Sequence, residues 1–289
     1  MYVVAGATGR VGGATAERLS QAGAPLRVLV RDPKAGEAWQ QRGAEVTVAD
    51  LADRDGLTRA LRGTDGCFVL LPFDPADQDP EATTSRLILS ISGAVADSQV
   101  PHVVLLSSGG ADLPEGTGPI VALHHLEAVL RDLDTTLTAL RPGHFQEKVT
   151  DLIDTVESSG VYPVFATSAD VPIPLIATRD VGHIAAEALL SPPAATESID
   201  ALGPQYTERE VAALLASKMG RDVDVLTIAR DARVDALVGT GMPLPAATAL
   251  AELYAASEDG LLAPRGDRTV HGTTPLETTL AGLLSPAAS

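Results

Sequence analysis

The chain of 289 residues has one cysteine, few aromatic residues and far fewer basic than acidic side chains. Cys67 has no partner for an internal disulfide, and its place in the apolar run CFVLLP predicts a buried strand residue rather than a reactive thiol. Aromatic residues make up 3%, so the core must consist mainly of Ala, Val, Leu and Ile. The 21 Lys and Arg against 38 Asp and Glu give a net charge of -17, which disfavours binding to nucleic acids and anionic membranes.

Long hydrophobic runs are also missing. No stretch approaches the ~18 apolar residues of a membrane span, and no signal peptide precedes the first predicted strand. The cytoplasm is therefore the expected compartment. The six histidines show no ligand spacing with cysteine or paired carboxylates, so no metal site is predicted.

What is present is an alternation of short apolar runs with segments of helical spacing over the first two thirds of the chain. The predicted strands are Tyr2–Ala5, Leu26–Val30, Glu45–Ala49, Gly66–Leu71, His102–Ser107 and Thr136–Leu140. The predicted helices are Val11–Ala22, Ala35–Arg42, Asp55–Gly63, Ala82–Ser98 and Ile120–Leu133. Because right-handed crossovers connect parallel strands, this pattern predicts an α/β fold with a doubly wound parallel sheet.

The alternation becomes irregular after about residue 142, and a second, smaller α+β C-terminal domain is expected there. TEREVAALLASKMG predicts a helix that Thr207 caps and Gly220 ends. We expect a dinucleotide-binding domain over residues 1–150 and a substrate-cleft domain over 151–289. The segment of about 175–203 is expected to return to the main sheet.

A Gly-rich stretch, GATGRVG, follows the first strand and precedes the first helix. A phosphate group needs backbone N–H donors at close range, which a Cβ would obstruct, and it gains from the positive end of a helix dipole. The strand–turn–helix context is the one that a dinucleotide fingerprint requires. We therefore expect a dinucleotide to contact the turn residues Gly6, Ala7, Thr8, Gly9, Arg10, Val11 and Gly12.

The end of the second strand, VLVRDPK, indicates which dinucleotide is bound. Arg31 lies nineteen positions after Gly12, where the adenosine ribose is expected. An arginine there pairs with the 2′-phosphate of NADP, and Lys34 adds a second positive charge. The adjacent Asp32 keeps NAD as the alternative coenzyme. A third interpretation is that these charged residues form a solvated turn with no role in coenzyme binding. The pattern favours NADP.

The next two strand ends supply further candidates for coenzyme contact. Asp50 and Leu51 are placed to reach the adenine, and Asp50 is also a candidate cap for the helix that follows. Leu71 and Pro72 end the fourth strand, beneath the expected path of the pyrophosphate and the nicotinamide ribose.

Several strings resemble the NmrA-like group of atypical short-chain dehydrogenases, which includes NADPH-dependent quinone reductases. The matching pieces cover roughly residues 2–230 and are GATGRVG, VLVRDP, VADL, VVLLSSGGA, HHLEAVLRDLDTTLTALRPGHFQEK, TRDVGHIAAEALL and LGPQYTEREVAALLASKMGR. The resemblance implies an NADP-binding Rossmann domain and a small C-terminal domain that closes a cleft. It also implies that Pro142, Gly143 and Phe145 line the nicotinamide end. For Arg141, two roles are considered: lining the nicotinamide end, or forming a structural ion pair. For His144, the two roles are contact with the substrate and ordinary packing in the cleft.

The Tyr-x-x-x-Lys pair of ordinary short-chain dehydrogenases is absent. The four tyrosines are followed four positions later by Gly6, Ala166, Glu210 and Glu258. Reversible alcohol oxidation by the usual acid–base route is therefore not expected. The remaining catalytic candidates are Ser107, at a strand end, and His124, as a proton donor held by Glu127 three residues along the helix. Ser107 is also a candidate contact of the nicotinamide ribose. Each residue also has a purely structural interpretation: His124 as a partly exposed histidine beside an acidic neighbour, and Ser107 as a residue that satisfies the end of a strand.

Two functional hypotheses follow from these observations. The first is an NADPH-dependent reductase that transfers hydride to a quinone or similar conjugated carbonyl, which can accept hydride without the missing pair. The second is a non-catalytic NADP(H)-binding redox sensor of the NmrA type, and isomerase or lyase chemistry is a third possibility. A small-molecule substrate and a monomer or homodimer are expected.

Overall fold

A computed structural model describes residues 1–284, which form thirteen strands and eleven α-helices. The strands are β1 (Tyr2–Ala5), β2 (Leu26–Val30), β3 (Glu45–Val48), β4 (Gly66–Leu70), β5 (His102–Leu106), β6 (Thr136–Pro142), β7 (His144–Phe145), β8 (Val161–Val164), β9 (Ile173–Ile176), β10 (Glu197–Leu202), β11 (Gln205–Tyr206), β12 (Asp224–Thr227) and β13 (Arg268–His271). The helices are α1 (Arg10–Gln21), α2 (Pro33–Gln41), α3 (Arg54–Leu61), α4 (Pro80–Ser98), α5 (Val121–Arg131), α6 (Ile153–Ser159), α7 (Thr178–Leu190), α8 (Glu208–Met219), α9 (Arg233–Gly239), α10 (Leu244–Glu258) and α11 (Leu276–Leu284).

The main sheet has eight strands, all parallel, in the order β13-β10-β6-β5-β4-β1-β2-β3. The order reverses between β1 and β4, and open α/β sheets bind ligands in the crevice at such a switch point. The predicted doubly wound fold is therefore confirmed. All six predicted strands form, with ends that differ by at most two residues.

Two hydrophobic cores cover the faces of this sheet. One core packs α1 and α7 against β1, β2 and β6, with Leu19, Phe68 and Ile176 fully buried. The other packs α3, α4 and α5 against the opposite face. Cys67 lies in this second core, and burial raises the pKa of its thiol to about 12, so the thiol is unreactive as predicted.

A third core lies beyond residue 148 and joins α6, α8 and α11 to β8 and β9. Small sheets, β11-β9-β7 and β12-β8, border it. Helix α8 begins with a capping box at Thr207 and ends at Gly220, as predicted. Two later strands leave this region: β10 pairs with β6, and β13 forms the edge of the main sheet.

The helix after β3 corrects one prediction. Asp53, not Asp50, is its N-cap, and its carboxylate accepts a hydrogen bond from the Gly56 N–H at 3.0 Å. Asp50 lies one turn too early and accepts instead from the Ala52 N–H at 2.8 Å. Within the described part of the chain, no helix is long and apolar enough to cross a membrane.

Candidate functional site

The Gly-rich turn lies between β1 and α1, beside the switch point of the sheet. The Gly9 N–H donates to the Gly6 carbonyl at 2.9 Å, and Gly6 has a φ of 66°, which favours glycine. Gly9 is the N-cap of α1 and offers no side chain to its first turn. Among residues 1–284, the first backbone N–H groups of α1 therefore have no intrahelical or capping partner, as an anion site requires.

Gly12 lets this turn and the helix approach each other closely. A Cβ on Gly12 would lie 2.3 Å from the Gly6 oxygen and 2.8 Å from the Ala5 oxygen. Ala7 and Val11 are buried, whereas Thr8, Gly9 and Arg10 are exposed. The turn thus has the shape of a backbone cradle, and a side chain at position 12 would destroy it.

Exposed positive charge lies next to this cradle. Because β2 is the parallel neighbour of β1, Arg31 directly after β2 lies at the same sheet edge as the turn. The side chains of Arg10, Arg31 and Lys34 are exposed and form no ion pair within residues 1–284. The Asp32 carboxylate accepts from the Lys34 N–H at 3.0 Å and so caps α2. Free cations in a chain of net charge -17 are suited to an anionic ligand.

The next candidates line the same sheet edge. Leu51 and Leu71 are half-buried against the core beneath α3 and α4, and Asp50 and Pro72 are exposed. Asp50 keeps one carboxylate oxygen without a hydrogen bond in the described structure, since only its Oδ1 accepts from Ala52.

Ser107 belongs to a buried ion cluster. Its hydroxyl donates to Glu127 Oε1 at 2.5 Å, and Glu127 also accepts from the Arg141 guanidinium at 3.0 and 2.6 Å. Burial alone would lower the pKa of Arg141, but the hydrogen bonds and charge of Glu127, with Asp112 and Asp200, raise it instead. Arg141 is thus a structural ion-pair partner, and the Ser107 hydroxyl is committed to Glu127.

His124 is not held by Glu127, which corrects the predicted pairing. Its Nδ1 lies 3.0 Å from the Ala111 carbonyl oxygen. Because a carbonyl oxygen only accepts, this bond requires the hydrogen on Nδ1. Neutral His124 is then left with an acceptor, not a donor, at Nε2. Glu127 is occupied by Arg141 and by Arg131 at 3.2 Å.

The segment after β6 joins three strand ends. The Gly109 N–H donates to the Pro142 carbonyl at 3.2 Å, and the Gly143 N–H donates to the Ala201 carbonyl at 2.9 Å. Phe145 packs against the α1 and α7 core. His144, its neighbour in β7, contacts α10: its Nε2 lies 3.2 Å from the Ser257 hydroxyl oxygen.

Two polar residues near this segment were not predicted from sequence. Glu147 is buried and accepts from the Thr178 N–H at 3.0 Å and from its hydroxyl at 2.6 Å, which caps α7. Ser257 reaches His144 across 113 positions of sequence. The Ala/Leu-rich sequence around Ser257 carries no motif that could have identified it.

Known proteins match the chain in sequence or in structure over more than four fifths of their length. The chain is 28% identical over 266 residues to an NAD(P)H azoreductase of Xenophilus azovorans, covering 91% of this chain and 89% of the relative. It is 32% identical over 245 residues to a (4-alkanoyl-5-oxo-2,5-dihydrofuran-3-yl)methyl phosphate reductase of Streptomyces griseus subsp. griseus, covering 84% and 82%. A crystal structure of Citrobacter sp. triphenylmethane reductase complexed with NADP(H) has a TM-score of 0.80 at 21% identity, covering 98% and 100%. The NmrA-like family model matches residues 2–274, and the chain therefore belongs to the NmrA-like family.

Proposed function

We propose that the protein is an NADPH-dependent oxidoreductase that transfers hydride to a quinone or similar conjugated carbonyl acceptor. The observation that carries this proposal is the glycine cradle at the switch point, beside exposed cations that have no ion-pair partner in the described part of the chain. The acceptor is a small molecule, and the relatives that support the proposal act, by their names, as reductases.

The residues of the cradle fit a dinucleotide. A Cβ would fill the space at Gly12, and the first-turn N–H groups of α1 are free to donate to a diphosphate. Arg31, Lys34 and Arg10 would hold the 2′-phosphate of NADP. Asp32 would accept from the free ribose hydroxyl of NAD, but one of its oxygens caps α2 and the carboxylate stands among these three cations, which favour a 2′-phosphate. NADP is therefore the proposed coenzyme, and NAD the weaker ligand.

The remaining cofactor contacts follow the carboxyl edge of the sheet. Asp50 and Leu51 are proposed to contact the adenine, and Leu71 and Pro72 the middle of the coenzyme. Pro142, Gly143 and Phe145 are proposed to border the nicotinamide, which supplies a hydride when bound. Ser107 is proposed to shape this wall through its bond to Glu127 rather than to react.

The absent Tyr-x-x-x-Lys pair restricts the chemistry. Without it, and with Ser107 committed to Glu127, no tuned acid–base pair serves an unactivated alcohol or ketone. A quinone-like acceptor spreads the arriving negative charge over its conjugated system, so the protein needs only to orient it and stabilise one oxygen. This limit favours conjugated acceptors over simple ketones.

The experiment is a turnover assay with purified protein, NADPH and a panel of acceptors comprising quinones, an azo dye and a simple aliphatic ketone. Loss of reduced-nicotinamide absorbance is the readout. We expect steady turnover with quinones and none with the ketone. Tight NADPH binding without turnover on any acceptor would contradict the reductase and support a redox sensor.

A further inference from the structure

Helix α10 contacts the strand end that borders the proposed nicotinamide site. We propose that His144, held by Ser257 of α10, donates a hydrogen bond to the acceptor oxygen that becomes negative on reduction. This inference rests on the proposed function and adds a catalytic residue and a positioning residue to it. The reaction balances when the acceptor gains a hydride from NADPH and a proton from solvent, and the coenzyme leaves as NADP⁺.

The position of His144 follows from the pairing of β7. Phe145 pairs with Ile176 and packs into the main core, and successive side chains of a strand point to opposite faces. His144 therefore points away from that core and towards α10. It follows Gly143 at the carboxyl end of β6, the edge at which open α/β sheets bind ligands.

The two ring nitrogens of His144 differ in their surroundings. Nε2 lies 3.2 Å from the Ser257 hydroxyl oxygen. Nδ1 has no hydrogen-bond partner among residues 1–284, yet it is not among their fully buried unpaired polar atoms. In contrast, Nδ1 of His102 and Nη1 of Arg233 are unpaired and inaccessible. His144 thus has one nitrogen that is neither bonded within residues 1–284 nor fully buried, and we place the acceptor there.

The Ser257 hydroxyl determines which nitrogen carries the hydrogen. Within residues 1–284 its oxygen forms a hydrogen bond with His144 alone, so a hydroxyl that merely accepted from Nε2 would leave its own hydrogen without an acceptor among them. A hydroxyl that donates to Nε2 satisfies both groups and places the imidazole hydrogen on Nδ1. Burial lowers the pKa of His144, so the ring is neutral near pH 7 and donates without titrating.

Residues of α10 before and after Ser257 anchor the helix to its neighbours and so hold Ser257 in place. Three positions earlier, Tyr254 stacks on Phe165 with ring centroids 4.9 Å apart. One position later, Glu258 accepts from Arg233 at 2.6 Å and from the Thr167 N–H at 2.5 Å. Tyr254 is a surface neighbour of both Ser257 and Glu258 on the helix because it precedes them by three and four residues. These contacts hold the Ser257 hydroxyl in a fixed position, so that it can keep the His144 ring in one tautomer.

His124 cannot perform the same task when neutral. Its Nδ1 hydrogen is used by the Ala111 carbonyl, and Nε2 is then an acceptor. A hydrogen bond donor is what a developing oxyanion needs, so the geometry favours His144.

The first test measures the tautomer directly, with ¹⁵N-histidine-labelled full-length protein and long-range ¹H–¹⁵N correlation spectra. The signals that disappear in the His144→Asn variant are assigned to the ring nitrogens of His144. We expect the Nδ1–H tautomer in the wild type and its loss in Ser257→Ala, with recovery in Ser257→Thr. An Nε2–H tautomer in the wild type would overturn the inference.

The second test measures turnover of menadione with NADPH, together with the dissociation constant of NADPH. We expect His144→Leu to lower kcat about 100-fold and Ser257→Ala about 10-fold, with NADPH affinity unchanged within twofold. His144→Asn should recover part of the loss, because its amide N–H overlays the position of Nδ1. The matched controls His183→Asn and Ser217→Ala should retain full activity.

The outcomes separate the inference from the proposed function. Wild-type turnover that His144→Leu leaves unchanged would overturn the inference alone. A wild type that turns over no quinone would overturn both. If His144→Leu fails to bind NADPH through misfolding, the tautomer spectra and Ser257→Ala decide the matter.

Discussion

The buried carboxylate of Glu127 gives the sharpest prediction of stability. Glu127 is 2% exposed and Arg141 6%, and the pair is joined by two hydrogen bonds. Glu127→Gln keeps the shape of the side chain but leaves the Arg141 guanidinium buried without its counter-charge. Breaking a buried pair in this way costs about 3–5 kcal/mol. Asp112, 3.9 Å from Arg141, offsets part of the loss, so we expect about 3 kcal/mol.

The measurement is the free energy of unfolding from urea denaturation followed by circular dichroism at constant pH. The double variant Glu127→Gln/Arg141→Met should recover most of the loss, because it removes the unpaired charge. Asp97→Asn, which breaks an exposed pair with Arg54, is the control and should cost less than about 1 kcal/mol. A loss below about 1 kcal/mol for Glu127→Gln would refute the assignment of Arg141 as a structural ion-pair partner.

Three further predictions concern the coenzyme cradle and the sheet. Arg31→Ala should weaken NADPH about 10–100-fold and NADH hardly at all, measured by nicotinamide fluorescence; an equal loss for both coenzymes would argue against a bound 2′-phosphate. Gly12→Ala should abolish detectable NADPH binding, because its Cβ would lie 2.3 Å from the Gly6 oxygen, and unchanged affinity would contradict the cradle. Burial lowers the pKa of His102 from 6.5 to about 4. As the pH falls, His102 is therefore protonated in the unfolded chain before it is protonated in the folded one. Stability should therefore decline between pH 6.5 and 4 by at most about 3 kcal/mol, and His102→Gln should flatten that decline in urea midpoints; an identical slope in the variant would refute it.

The sheet could be predicted because its signals are local. Most of the first six strands are short runs rich in apolar residues, β3 (EVTV) alternates polar and apolar residues, and the Gly-rich turn is followed at once by α1. Edge strand β13 could not be predicted, since its four residues include Arg268 and His271 and are mostly exposed. Nothing in their pattern distinguishes them from a polar loop.

The polar contacts were harder to predict, because helical spacing identifies neighbours but not partners. His124 and Glu127 are three residues apart, yet Glu127 pairs with Arg141 from β6, where two buried charges neutralise each other. Asp50 lies two residues after β3 and resembles a helix cap, but α3 begins one turn later at Arg54. The His144–Ser257 contact joins two distant elements and has no local signature.

The most direct test of the central claim is a calorimetric titration of the full-length protein with NADPH. A glycine cradle flanked by Arg10, Arg31 and Lys34, which pair with no carboxylate among the described residues, predicts one site per chain and a dissociation constant in the micromolar range or below. Binding should weaken with added salt. Absence of a binding signal at millimolar NADPH would contradict the account.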